Sequence, residues 1–255
     1  MLEATALAED RHFWFRGLRR NARLLLRDAL NGRRPERIVD CGSGTGRNLD
    51  WLSEFGPAVG IERSPVGLRV GRSHGRRLVQ ASVTHLPFRD ACADVATSFD
   101  VLYCLDDESE RRALDEMWRV LKPGGLVLVN VAALDVLHGS HSVLTMEKRR
   151  YTPERLTARL TRAGFTVGRM TFTNMLTFPL TLAVRFSERV TGIAATASES
   201  DLQVPAAPVN AILSGVTAID GGLLRLVNLP IGTSLLCVAQ KRSSQRGREA
   251  AATSA

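Results

Sequence analysis

The chain has 255 residues, 44% of them apolar and 24% charged, with a formal net charge of +8. This is the composition of a globular protein with one sizeable core, and it excludes a low-complexity or fibrous chain. The most apolar stretch, Met175 to Phe186, is interrupted by Pro179 and Arg185, so no transmembrane segment is expected.

Much of the basic excess lies at the two ends, with Arg16, Arg19, Arg20, Arg23, Arg27, Arg33 and Arg34 at one and Lys241, Arg242, Arg246 and Arg248 at the other. A solvated helix face and tail account for this, and so does an anionic partner such as nucleic acid, a lipid headgroup or a phosphorylated substrate. Cys41, Cys92, Cys104 and Cys237 form no paired motif and read as reduced thiols, with no metal site expected. Met1 to Arg11 is polar and acidic, unlike a secretion signal, and a cytoplasmic location is expected.

In chain order, Leu2 to Leu30 reads as helix, ended by Asn31-Gly32. Its consecutive Phe13, Trp14 and Phe15 cannot share one narrow stripe, so some face away from the main core. Ile38 and Val39 end a first strand, and Asn48 is a candidate cap for a helix to about Phe55. Ala58–Glu62 is a second strand, Pro65 opens a helix to Ser73, and Leu78–Ala81 and Asp94–Asp100 are further strands. Glu108–Leu121 has helical spacing, Pro123-Gly-Gly125 turns the chain, and Leu126–Val131 is an almost unbroken apolar strand. Thr152 caps a helix over Pro153–Ala163, and Phe165–Thr173 alternates as a sixth strand. Apolar helical pieces follow around Leu176–Val190 and Ala211–Val227, separated by a Ser-, Ala- and Pro-rich mobile stretch, Ala194–Val209. Thr233–Ala239 is a last strand, and Ser243–Ala255 has no apolar periodicity and is expected to be disordered. Unbroken strands between amphipathic helices predict an α/β fold with a mostly parallel sheet covered on both faces.

One segment organises this pattern: Val39-Asp-Cys-Gly-Ser-Gly-Thr-Gly46. A strand, a glycine loop and a helix start make a cradle into which backbone N–H groups would point. Its spacing is Gly-x-Gly-x-Gly, and Arg47 stands where a dinucleotide fingerprint would have its third glycine. Glu62 ends the next strand, where a carboxylate can accept two hydrogen bonds from a ribose diol.

With Gly60-Ile-Glu-Arg-Ser64, Leu86-Pro-Phe88, Phe99-Asp-Val-Leu102 and Arg119-Val-Leu-Lys-Pro-Gly-Gly125 in this order, the chain resembles the Rossmann-like S-adenosylmethionine-dependent methyltransferases. The resemblance covers about Phe13 to Arg242. It implies a seven-stranded, mostly parallel sheet with an antiparallel last strand and S-adenosylmethionine as cofactor. By the same resemblance Gly42, Gly44, Gly46 and Phe99 flank the cofactor. Asp40 organises the loop and the ammonium end, and Glu62 takes the ribose hydroxyls. Ser82, in place of the usual Asp, and the backbone of Val83 meet the adenine. Segments His12-Phe-Trp-Phe15, His141-Ser142…Glu147-Lys-Arg-Arg-Tyr151 and Leu229-Pro-Ile-Gly-Thr-Ser-Leu-Leu236 resemble a bacterial subgroup, methyltransferase type 11-like, with departures at Cys104, Ser142 and Glu147.

The expected organisation is a single domain over 1–242: an N-terminal helical lid at 1–34, a cofactor-binding core at 35–174, a helical insertion at 175–229 and the last strand at 230–242. His141 is a candidate general base or substrate orienter, or else an exposed loop histidine. Tyr103 is a candidate for the methyl-transfer channel, or else a packed aromatic. Trp14, Phe15, Arg149, Arg150 and Tyr151 are candidate substrate contacts, with core packing and a charged turn as the plain alternatives. A small-molecule, lipid-like or glycan-linked acceptor is the leading expectation, and a peripheral membrane contact is compatible with it. No nucleic-acid partner is expected, because neither an RNA-binding module nor a base-flipping motif is present. A nucleic-acid methyltransferase is the second reading. A cofactor-binding protein without methyl transfer is the third.

Overall fold

A computed structural model describes residues 6–137, 147–191 and 204–242. Helix α1 (Phe13–Leu30) precedes β1 (Ile38–Cys41), α2 (Arg47–Leu52), β2 (Ala58–Glu62), α3 (Pro65–Ser73), β3 (Leu78–Gln80), β4 (Ala93–Phe99) and α4 (Asp107–Val120). Then come β5 (Leu121–Ala132), α5 (Pro153–Arg162), β6 (Phe165–Thr173), α6 (Phe178–Thr191), α7 (Ala207–Leu223) and β7 (Ser234–Lys241). The sheet order is β3-β2-β1-β4-β5-β7-β6, parallel except for β7, which runs antiparallel to both β5 and β6. This is the seven-stranded α/β sheet expected. All four residues of β1 and most of β4 and β5 are buried, as a sheet covered on both faces requires.

The topology places the site. The chain winds outward through β1, β2 and β3, then returns to lay β4 on the other side of β1. A crevice opens where the order reverses, beyond the C-terminal ends of β1 and β4.

Local chemistry moved several boundaries. Helix α1 starts at Phe13, because His12 Nδ1 accepts from the Trp14 amide at 3.2 Å and caps it. The residues before it turn aside to meet the glycine loop. Asn48 is not a cap: Gly46, at φ 75°, takes that position, and Asn48 Oδ1 accepts from Trp51 Nε1 at 3.2 Å. Pro123-Gly-Gly125 does not end an element but bulges within β5, since pairing to β4 steps from Ala93–Leu121 to Val95–Leu126. Ser64, Asp106 and Thr152 cap α3, α4 and α5 with their side chains. Ala194–Gln203 and the tail beyond Arg242 lie outside the described residues. Val209 stands inside α7, which Pro208 helps to start.

Helix α1 packs on α7, where Gly17 allows Thr217 a close approach. Asp220 of α7 is buried and accepts from the Leu176 amide, which ties the start of the α6 segment to α7.

Candidate active site

The glycine loop is shaped by what surrounds it. Gly42 has φ 79°, and a Cβ there would lie 2.4 Å from Val101 Cγ2. Gly67 and Gly71 of α3 let the loop carbonyls of Gly44 and Thr45 approach to within 2.6 and 2.5 Å of where a Cβ would stand. Only glycine fits these helix positions, and a reading confined to the loop itself missed them.

The amides of this loop are spent inside the protein. Gly42 N and Ser43 N both donate to Ile61 O at 2.8 and 2.9 Å, Gly46 N donates to Ser43 O at 2.8 Å, and Gly44 N donates to Glu62 Oε2 at 2.8 Å. The expected ring of amides pointing into the cradle is therefore corrected for these four groups. They fix the loop's shape, and the chemistry of the crevice is set by carboxylates. Glu62 accepts from Gly44 N and, through Oε1, from Ser64 N at 2.7 Å. A carboxylate has about four acceptor sites, so two remain for a diol. Asp40 lies fully buried beneath the loop, held by the Thr97 hydroxyl at 2.6 Å, with Oδ2 unpartnered among the described residues. Glu9 comes down from the N-terminal segment and accepts from Thr45 Oγ1 at 2.8 Å.

One cavity of about 560 Å³ connects this donor end to a second cluster. Gly42, Gly44, Glu62 and Phe99 line the first part, while Asp100, Tyr103, Glu147 and Arg150 line the second. Phe13, Trp14, Phe15 and Leu18 of α1 and Thr181 and Arg185 of α6 also border it. Trp14, Phe15, Tyr103 and Arg150 are thus brought together at this cavity. Asp40 and Gly46 support the loop from outside the lining.

Other candidates are placed elsewhere. Arg149 and Tyr151 do not reach the cavity. Glu110 of α4 is buried and accepts from Arg149 Nη1 at 2.5 Å and from Tyr151 OH at 2.7 Å, so both are scaffold contacts. Ser82 and Val83 do not line it either: Ser82 Oγ sits 2.8 Å from Thr84 Oγ1 in a local turn, and Val83 is buried. His141 lies outside the described residues.

Two groups that the sequence reading gave no role are central. Asp100 follows β4 at φ 62°, accepts from Asn130 Nδ2 at 2.8 Å and is hydrogen-bonded by Tyr103. Asn130 is the polar interruption in the otherwise apolar strand β5, and that is the signal that could have found the pair. Glu147 pairs with Arg150, whose Nη1 also donates to Ala133 O at 3.1 Å.

Burial pushes the carboxyls of both Asp40 and Asp100 up to about 7. Hydrogen bonds from Thr97, and from Asn130 and Tyr103, oppose this, while the charges of Glu62 and Glu147 add to it. Burial also keeps the Tyr103 phenol protonated. Because both acids hold a proton in the folded state above their ordinary 3.8, stability falls as pH rises from about 4 to about 7 and then levels. A cationic ligand reverses the preference at the site. Its affinity is expected to rise about tenfold between about pH 6 and pH 8, with proton release on binding. Calorimetry in two buffers of different ionisation enthalpy checks this, and a flat profile refutes it.

S-adenosylmethionine fits such a crevice. It has no phosphate to be repelled by the carboxylates, its sulfonium and ammonium are cations, and its ribose offers two hydroxyl donors to Glu62.

The architecture is that of known methyltransferases. A chain of the Haloferax volcanii complex between a methyltransferase activator and a methyltransferase superposes with a TM-score of 0.58, at 19% identity, covering 93% of each chain. Residues 39–129 match the family described as a methyltransferase domain. The chain is similar to tRNA (carboxymethyluridine(34)-5-O)-methyltransferase of Arabidopsis thaliana, 34% identical over 99 residues, which are 38% of this chain and 24% of that protein. It is also similar to the ubiquinone/menaquinone biosynthesis C-methyltransferase UbiE of Vibrio parahaemolyticus, 38% identical over 116 residues, 39% of this chain and 42% of that protein. The chain thus spans 24% to 42% of these relatives, one named for tRNA and one for ubiquinone and menaquinone biosynthesis.

Proposed function

We propose that this protein transfers a methyl group from S-adenosylmethionine to a small or amphipathic acceptor held under α1 and α6. The observation that carries this reading is the single cavity joining the glycine loop and Glu62 to the Asp100–Tyr103–Arg150 cluster. Its size falls within the range of small-ligand sites.

When bound, S-adenosylmethionine supplies a sulfonium methyl open to in-line displacement by the acceptor. The protein's part is alignment and exclusion of water. Glu62 would hold the ribose, and the buried carboxyl of Asp40 beneath the loop would offset the charge of the cationic end. Phe13, Trp14 and Phe15 close the cavity from above. At the acceptor end, Asp100 can take a proton near neutral pH while Tyr103 and Asn130 hold its carboxylate in place. Arg150 is fixed by Glu147 and gives the acceptor a positive neighbour.

The test is incubation of the purified protein with methyl-labelled cofactor and fractionated extract. Label is expected in the small-molecule or lipid fraction. Asp100→Asn is expected to slow transfer by about 10²-fold or more while leaving cofactor affinity within about threefold. Binding without transfer to any fraction overturns the reading in favour of a cofactor-binding protein. Label on tRNA alone moves the acceptor to nucleic acid, a second reading that the similarity to a tRNA methyltransferase favours.

A further inference from the structure

Between α1 and α7 lies a groove of about 530 Å³. Arg20, Arg23 and Arg27 line one wall, Arg225 the other, and Ala218, Gly221 and Gly222 leave the floor open. No carboxylate lines it among the described residues. Arg23 pairs with Glu54 at its outer end, at 2.7 Å, and the nearby Asp28 is taken by Arg169 at 3.0 Å. Arg20, Arg27 and Arg225 are exposed and make no ion pair among the described residues. The groove therefore gathers three arginines, Arg20, Arg27 and Arg225, that have no ion pair among the described residues.

Beside the groove runs an apolar stripe. Ile212 and Ile219 are 67% and 57% exposed on α7, and Leu226, just past its end, is 82% exposed. The seven-residue spacing of Ile212 and Ile219 puts them on one line of the helix, away from the buried Thr217 and Asp220 and next to Gly222 of the groove, with Leu226 in the turn that follows. Helix α6, which borders the catalytic cavity, exposes Leu180, Val184 and Phe186.

We infer that the α1–α7 groove and the adjoining α7 stripe dock this protein on an anionic lipid bilayer. Headgroup phosphates pair with the guanidinium groups, and the apolar stripe enters the boundary between headgroups and acyl chains. Nucleic acid would satisfy the arginines but leave the stripe in water. A two-fold contact with a second copy would cover the stripe but bring two arginine grooves together. A negatively charged membrane satisfies both features. The inference does not depend on methyl transfer.

The full chain is to be sedimented with vesicles of phosphatidylcholine alone and with vesicles carrying about one-third phosphatidylglycerol. Binding is expected to the anionic vesicles only, and to fall steeply at about 0.5 M salt. Arg20→Glu with Arg27→Glu is expected to weaken partitioning by about tenfold or more, and Ile219→Asp likewise, with unchanged thermal melting. Failure to bind anionic vesicles, equal binding to neutral ones, or full binding by both variants overturns the inference. So does tRNA binding sensitive to the arginine changes in a protein that ignores vesicles. A dimer dissolved by Ile219→Asp, again without vesicle binding, also overturns it.

Discussion

Glu62→Ala is expected to weaken S-adenosylmethionine binding by about 3 kcal/mol, more than a hundredfold. The size follows from the two jobs of this carboxylate. In the proposed role it would offer acceptors to the ribose, and it holds the amides of Gly44 and Ser64 at 2.8 and 2.7 Å. Hydrogen bonds to a charged group contribute about 1.5–3 kcal/mol each. The alanine variant loses ligand contacts and also frees the middle of the loop. Glu62→Gln keeps one acceptor oxygen and should fall between the two. Titration calorimetry measures the affinities. Retention of wild-type affinity in Glu62→Ala would show that the ribose is held elsewhere.

The second large effect concerns stability. Glu110→Ala is expected to cost about 3–5 kcal/mol of unfolding free energy, because it leaves the Arg149 guanidinium buried without its main partner. Arg149 Nη2 still donates to Leu105 O at 2.8 Å and Nη1 to exposed Asp107 at 2.5 Å, which only partly offsets the loss. Tyr151, fully buried, loses its acceptor as well. Tyr151 is bridged to Ala133 beside the end of β5, so loosening this corner displaces Arg150 and Glu147 from the cavity wall. Denaturant unfolding measures the first effect. Weakened acceptor turnover, with donor binding preserved, is the expected sign of the second. A variant as stable as the wild type would mean that the Glu110 cluster is not what holds this segment.

Much of the fold was legible because each element announces itself locally. Ala58–Glu62, Pro65–Ser73 and Phe165–Thr173 begin and end where strand pattern, proline and capping residues say they should. Asn48 misled because a favourable cap residue competed with a left-handed glycine two positions earlier, and the loop geometry favoured the glycine. The start of α1 moved to Phe13 because His12 caps it, and the Glu9–Thr45 contact across 36 residues, which no local signal encodes, holds the preceding segment on the loop.

The order of strands, the glycine loop and the carboxylate that follows it were fixed by the sequence alone, and with them the kind of donor. Tertiary structure decided which side chains face it. Arg149, Arg150 and Tyr151 are consecutive and look alike as candidates, but in an extended segment neighbours point to opposite sides. The pairing of Tyr151 with Ala133 sets the phase: Arg150 turns to the cavity, while Arg149 and Tyr151 turn to Glu110. The same holds for the loop amides, which sequence spacing aims at a ligand and which the neighbouring strand claims through Ile61 O. Charge placement followed the same rule: the arginines of α1 became a groove only because Gly221 and Gly222 of a helix 200 residues away leave space beside them.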